Sequence, residues 1–520
     1  MEDLVLRLVK SPTPGYAQQA CRADLAEKLG LVVGGAVYAR SIAGSPRGMF
    51  FLWRGADGKR VAWLRTEPTQ ELAGDTRQVE WGGHTLYLTS GPASHGNLTV
   101  LQRHLPFLKP RTVGLRGSFG FGDRIGVATP GHVRAVRGSG LVPFFLQQSI
   151  REMVRTERTP QDVMDDAVWG VFQEGWDGDF GSDADHLKTP EDVAACAAAG
   201  YTMFTIDPSD YVDNGADTAD VATLRDRLDA APWGQLRTSW DALAAHYSGK
   251  SWRMEAGVVV AFDDERLARA VVKYGRAIVH TALMYEHVRD QVQARPFELE
   301  MSVDETAVPT SPEEHFFIVQ ELQRLGVEWV SLAPRFVGSF QKGIDYIGDV
   351  KAFERSFAAH AAIARRVGPY KLSLHSGSDK FSIYEIAARH TEGLLHVKTA
   401  GTSYLEALRV TAQKSPDLFR EILAFALERF EHDRATYHMS PSLDKVPAPD
   451  ALADAQLSGL LDQPDARQVL HVTFGSVLTQ RDEDGGYRFR GRLLAVLRAH
   501  EEAYYQALER HFRRHLEAYG

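Results

Sequence analysis

Cysteine is almost absent. Cys21 and Cys196 are the only two in 520 residues, too few for a disulfide framework and without the paired spacing of a thiolate metal site. Runs of Lys and Arg long enough to follow a phosphate backbone are also missing, and the formal net charge is −9, so nucleic acid is not an expected partner. No stretch of consecutive apolar residues is long enough to span a bilayer, and Met1-Glu2-Asp3-Leu4 lacks the basic-then-apolar start of an export signal. The expectation is a cytoplasmic chain with no membrane partner. There is no internal repeat, no strand leading into a dinucleotide fingerprint, no Walker loop, and no signature of an oligomeric state. What is present is an ordinary globular composition, 44% hydrophobic and 24% charged, which suits an enzyme or binding protein for a small molecule.

Three segments differ in texture. Residues 1–108 carry short strand-like runs, with 49–53 and 61–64 joined by the turn Gly55-Ala-Asp-Gly58 and a second hairpin at Gly82-Gly83, and read as a β-containing N-terminal domain. Residues 109–435 alternate strand-like and helical patterns. Residues 436–520 read as a mainly helical extension, ending in a charged helix from about Gly491 to Tyr519.

Strand candidates in the central segment are 112–115, 141–146, 167–172, 201–206, 297–301, 328–332, 370–374 and 394–397. The helix that opens at Ser311-Pro312-Glu313-Glu314 has a cap, a proline at its first position and a glutamate three residues after the cap, and Gly326 closes it. Eight strand–helix units predict an α/β fold of the (β/α)8 barrel type rather than an open sheet. The long connection at about 208–295 is read as the fourth helix plus a lid or subdomain over the strand ends.

In such a barrel the chemistry lies where the strands end. The polar residues there are Ser118, Asp123 and Arg124; Gln147 and Gln148; Gln173 and Glu174; Asp207; Glu300 and Asp304; Arg335; His375; and His396 and Lys398. Any one of them alone reads first as a hydrogen-bonded strand end; polar groups closing all eight strands point to a site. A divalent metal (zinc, manganese, nickel or cobalt) needs carboxylate and imidazole ligands from different strands, and Glu300, His375 and Asp207 supply them, with His396 one layer deeper as a ligand or an orienting histidine. Loops 375–379 and 398–403 run into helices through small hydroxyl and glycine residues, so Ser376, Ser378 and Lys398 are expected to hold an anionic or hydroxyl end of the substrate; the alternative is simple helix capping by Ser378 or Thr402. Ser118, Asp123, Arg124, Gln147, Gln173 and Arg335 complete the expected substrate-binding set.

Several motifs resemble one family. Gly117–His132 reads Gly-Ser-Phe-Gly-Phe-Gly-Asp-Arg-Ile-Gly-Val-Ala-Thr-Pro-Gly-His, and segments 205–210, 300–305, 312–315, 374–379, 396–401 and 472–475 add to it. Together they resemble the tagaturonate epimerases, which interconvert tagaturonate and fructuronate and include members acting on tagatose and fructose. The resemblance implies a metal-dependent inversion at carbon 4 of a sugar or sugar-acid substrate. That carbon is β to the carbonyl at carbon 2, so its proton is not acidified. Retro-aldol cleavage and re-addition is the economical route, with Glu174, Asp207 and Lys398 as acid–base candidates. Two alternatives stay open: a metal-dependent aldolase of class II type, and a barrel glycoside hydrolase using Glu174 and Glu300.

Overall fold

The computed structural model describes residues 2–437 and 439–519. At the N-terminus, strands Gly48–Gly55 and Gly58–Arg65 pair antiparallel with Gly55 opposite Gly58. Strands Asp75–Trp81 and His84–Pro92 form the second hairpin, where Gly82 and Gly83 adopt φ of 55° and 74°, the left-handed pair of a tight hairpin turn. Three short strands complete a seven-stranded sheet. Phe50 and Trp63 stack at 4.6 Å on the face turned toward the rest of the protein and join a core continuous with it.

The central segment is a closed eight-stranded parallel barrel. Its strands are β1 (Ser118–Phe121), β2 (Val142–Ser149), β3 (Gly181–Leu187), β4 (Met203–Ile206), β5 (Glu298–Val303), β6 (Ser331–Pro334), β7 (Lys371–Leu374) and β8 (Leu395–Thr399). The helices that follow them are α1 (Thr129–Val136), α2 (Pro160–Gln173), α3 (Pro190–Ala199), α4 (Asp264–Val292), α5 (Pro312–Arg324), α6 (Val350–Val367), α7 (Tyr384–Thr391) and α8 (Thr402–Lys414). Each crossover helix buries an apolar stripe against the sheet, as parallel strands require. The capping box read at Ser311 and Glu314 is formed, and it starts α5.

Two strands differ from the sequence reading. The first is Ser118–Phe121 rather than 112–115, where Leu115 is exposed. A side chain on Gly120 would press within 3.1 Å of the Gln147 amide oxygen, so glycine is there to admit a neighbour. The apolar run 167–172 is not a strand at all. It is the buried face of α2, nucleated by a capping box between Thr159 and Asp162 with Pro160 at the first position. The true third strand, Gly181-Ser-Asp-Ala-Asp-His-Leu187, is polar because its inward side chains are acidic.

The 208–295 connection does contain the fourth helix, α4. Its remaining pieces, three short helices and the hairpin of Ser251–Arg253 with Val259–Ala261, pack against α4 and α5 outside the ring. None of its residues lines the cavity at the strand ends, so it is a buttress and not a lid. The last helix, α9 (Glu501–Leu516), begins after a break at His500 and packs on α1 and α8. No described helix is long and apolar enough to cross a membrane.

Candidate active site

The barrel interior is charged. Alternation along β5, β7 and β8 points Glu298, Glu300 and Ser302, then Lys371 and Ser373, then His396 and Lys398 inward, and all are buried. At the bottom, Ser118 Oγ accepts from Lys371 Nζ at 3.2 Å and lies 2.9 Å from His396 Nδ1. One layer up, Lys398 Nζ is 2.7 Å from Asp183 Oδ2, 2.8 Å from Asp185 Oδ1 and 2.8 Å from Glu300 Oε1, and donates to Thr205 Oγ1 at 2.6 Å. Burial opposes the lysine's charge, but the three carboxylates hold its ammonium well above the usual range. The same burial would raise Glu300, and Lys398 with His375 holds it well below instead. Asp183 is pushed up to about 6, first by burial and then, against Lys398, by its acidic neighbours.

Above this layer lies a cavity of about 320 Å³ at the carboxyl ends of the strands. His375 Nε2 sits 2.6 Å from Glu300 Oε1 and its Nδ1 3.2 Å from Asp304 Oδ1. Although burial works against the charge, Asp304 leads in raising this imidazole to about 8. His186 Nδ1 is 2.9 Å from Asp185 Oδ1, and burial of His186 is overcome by Asp185 and Asp304. In a regular strand Asp185 and His186 would point to opposite faces. Here the pairing with β4 shifts register between Ala184 and Leu187, and His186 adopts φ 55°, so both side chains reach the cavity. Left-handed backbone at a non-glycine residue costs of order 1 kcal/mol and is characteristic of functional positions.

Asp185, His186 and His375 each offer one ligand atom, all within 4.8 Å of one another. One carboxylate and two imidazoles is a donor set that suits zinc, manganese, nickel or cobalt, and Glu300 Oε2 beside it is buried without a hydrogen-bond partner. The residues therefore fit a divalent cation. A second group, Asp379, His511 and His515, meets the same distance criterion, but His515 Nε2 accepts the Asp379 backbone N–H at 2.9 Å and Arg467 Nη2 donates to Asp379 Oδ2 at 2.8 Å. It fastens α9 to the loop after β7.

Of the residues expected from sequence, Arg124, Gln147, Asp304, Arg335, His375, Ser376 and Lys398 line the cavity. Gln147 Nε2 donates to Asp185 Oδ2 at 3.1 Å. Glu300 and His396 lie beneath it. The others are elsewhere. Asp207 is not with the ligand set: its Oδ1 accepts from Ser209 N at 3.0 Å and its Oδ2 is 3.7 Å from Lys188 Nζ, so it caps a turn. Glu174 and Gln173 end α2, a consequence of the misread third strand. Glu174 pairs with Arg134 at 3.1 Å and Arg40 at 3.5 Å, Gln173 lines a separate recess with Tyr505, and the pairing of Glu174 with Glu300 required of a glycoside hydrolase does not form. Asp123 accepts from the backbone of Ile125, Gly126 and Ala128, Ser118 lies at the barrel floor, and Ser378 is buried beside the cavity without lining it. Loop eight is sewn to β1 through Ser403 Oγ and Gly122 O at 2.8 Å. The residues missed were Asp183, Asp185 and His186, whose signal was the alternation of acids in 181–187, and Arg151, Glu152, Glu305 and Lys342.

A sequence model of the tagaturonate epimerase (UxaE) family matches residues 38–519. The chain belongs to the tagaturonate epimerase family. The match begins inside the N-terminal sheet, upstream of the motifs that suggested it. A tagaturonate/fructuronate epimerase of Thermotoga maritima is 44% identical over 481 residues, 92% of this chain and 96% of that protein. The glycerol-complexed crystal structure of fructuronate-tagaturonate epimerase UxaE from Cohnella laeviribosi is similar with a TM-score of 0.87 and 38% identity, covering 96% of this chain and 100% of that one. The native crystal structure of the same protein gives the same values. A member of the tagaturonate epimerases is an isomerase, and the cavity above Lys398 is its candidate active site.

Proposed function

We propose that this enzyme interconverts tagaturonate and fructuronate by inverting carbon 4 of the keto-hexuronate, through cleavage and re-formation of the bond between carbons 3 and 4. One observation carries the reading: a carboxylate and two imidazoles with metal-ligand spacing share a cavity with cations that suit a sugar acid. Asp185, His186 and His375 would hold the divalent cation. When bound, it would supply Lewis acidity for the carbonyl chemistry.

The rest falls to the protein's own groups. Lys398 keeps its proton among three carboxylates, so it is a poor base; it neutralises the acids beneath the ligand set and fixes Asp185. Among the cavity carboxylates, Glu152 is bound to Arg124 at 2.6 Å and Asp304 is held by Ser302, His375 and His186. Glu305, whose one ion-pair partner among the described residues is Arg151 at 3.4 Å, is assigned the proton of the carbon 4 hydroxyl. Its loss drives the electron pair of the carbon 3–carbon 4 bond onto the carbon 3 side and leaves an aldehyde at carbon 4. Rotation of the aldehyde, re-addition to its opposite face and return of the proton to oxygen give the epimer.

Substrate deuterated at carbon 4 tests this. The label is expected to remain in the product with a small isotope effect. Loss of label to solvent, or retention with a large primary isotope effect, would overturn the carbon–carbon cleavage.

A further inference from the structure

We propose that Arg335 and Lys342, on the loop after β6, form the subsite for the substrate carboxylate and so set the preference for keto-hexuronate over neutral ketohexose. This rests on the epimerase reading above and assigns its anionic contact.

The argument is one of charge pairing. Five lysines and arginines line the cavity: Arg124, Arg151, Arg335, Lys342 and Lys398. Three are already answered by carboxylates. Arg124 donates twice to Glu152 Oε1, Arg151 faces Glu305 at 3.4 Å, and Lys398 is surrounded by Asp183, Asp185 and Glu300. The remaining cavity acid, Asp304, is engaged by His375 and His186.

Arg335 and Lys342 have no carboxylate partner among the described residues. The Lys342 ammonium makes one hydrogen bond, to Ser376 Oγ at 2.7 Å. Burial, and then the like charge of Arg151, pushes that ammonium's pKa down, which an anion beside it would relieve. The Arg335 backbone is fixed from both sides by Thr310, its N–H donating to Thr310 Oγ1 at 3.0 Å and its carbonyl accepting from Thr310 N at 2.9 Å. With its backbone so held, Arg335 lines the cavity. A guanidinium and an ammonium on one loop, neither paired with a carboxylate among the described residues, are a receptor for a carboxylate. Lys398, the residue expected from sequence to do this, has no free charge to offer. Neither Arg335 nor Lys342 closes an internal ion pair, so their substitution removes little that holds the fold.

The test compares acid and neutral sugars. Wild-type turnover of tagaturonate and fructuronate is measured first; its absence would overturn the functional reading itself, before any variant is made. Given that turnover, Lys342→Met and Arg335→Leu are each expected to raise the uronate KM about tenfold or more with kcat changed less than about threefold. Inhibition of the uronate reaction by glucuronate should weaken about tenfold in both variants, while inhibition by glucose stays within about twofold. Lys342→Arg and Arg335→Lys, which keep the charge, should recover most of the affinity. Equal weakening of glucuronate and glucose, or an unchanged uronate KM in a folded variant, would overturn the subsite and leave the epimerase reading standing.

Discussion

Lys398 Nζ lies 2.7 Å from Asp183 Oδ2, with both groups buried at the centre of the barrel. Removing the lysine would strand three carboxylates away from water, which costs more than any single hydrogen bond. Lys398→Met is expected to destabilise the protein by about 3–5 kcal/mol and to abolish activity. Adding Asp183→Asn should restore part of the stability and none of the activity, because one uncompensated charge is removed. Urea unfolding followed by tryptophan fluorescence checks this; a double variant less stable than the single one would contradict the pairing.

Metal content should follow the cluster seen in the fold and not the set expected from sequence. Elemental analysis of purified protein is expected to find a divalent cation that is depleted in His375→Ala and Asp185→Ala, with kcat down about 100-fold or more. Asp207→Asn should keep the cation, since Asp207 serves a turn and Lys188. Depletion in Asp207→Asn with none in Asp185→Ala would reverse the assignment.

Glu174→Gln separates structure from catalysis. The buried carboxylate answers Arg134 and Arg40 at the end of α2, so its loss should cost about 1–3 kcal/mol of stability while kcat stays within about twofold. A hundredfold fall in kcat without loss of stability would restore Glu174 as a catalytic acid.

Acid should unfold the protein through its histidines. Burial pushes His132 down to about 4, with its Nε2 2.8 Å from Ser403 Oγ, and His360 also down to about 4. In the unfolded chain each titrates near 6.5. Between those values the unfolded state binds more protons, so stability present above about pH 6.5 is lost as pH falls toward 4. One such histidine accounts for about 2 kcal/mol of loss at pH 5. His132→Gln should therefore lose about that much less than wild type between pH 7.5 and pH 5 in chemical unfolding, whereas an equal loss would mean His132 is not held neutral.

The barrel was legible in the sequence because most of its strands and helices announce themselves locally. Apolar strand runs such as 201–206 and 370–374, and the cap at Ser311, depend on neighbours within one element. The third strand was not legible for a reason that is itself functional: its inward face carries Asp183 and Asp185, and a buried strand full of acids looks like a loop until Lys398 is known to lie opposite. The apolar run of α2 then took its place, and Gln173 and Glu174 were carried to the site with it.

By itself the sequence determined the eight-unit alternation, the parity that turns Glu300, His375 and Lys398 inward, and the motifs shared with the tagaturonate epimerases. Only the tertiary structure decided which of those groups are spent on one another. Charge pairing acts across strands far apart in the chain: Lys398 meets Asp183 and Glu300, Arg124 meets Glu152, and Asp207 turns to Lys188. The cavity cations without a carboxylate partner among the described residues, Arg335 and Lys342, cannot be found by spacing, because a cation is free only with respect to every acid the fold brings near it.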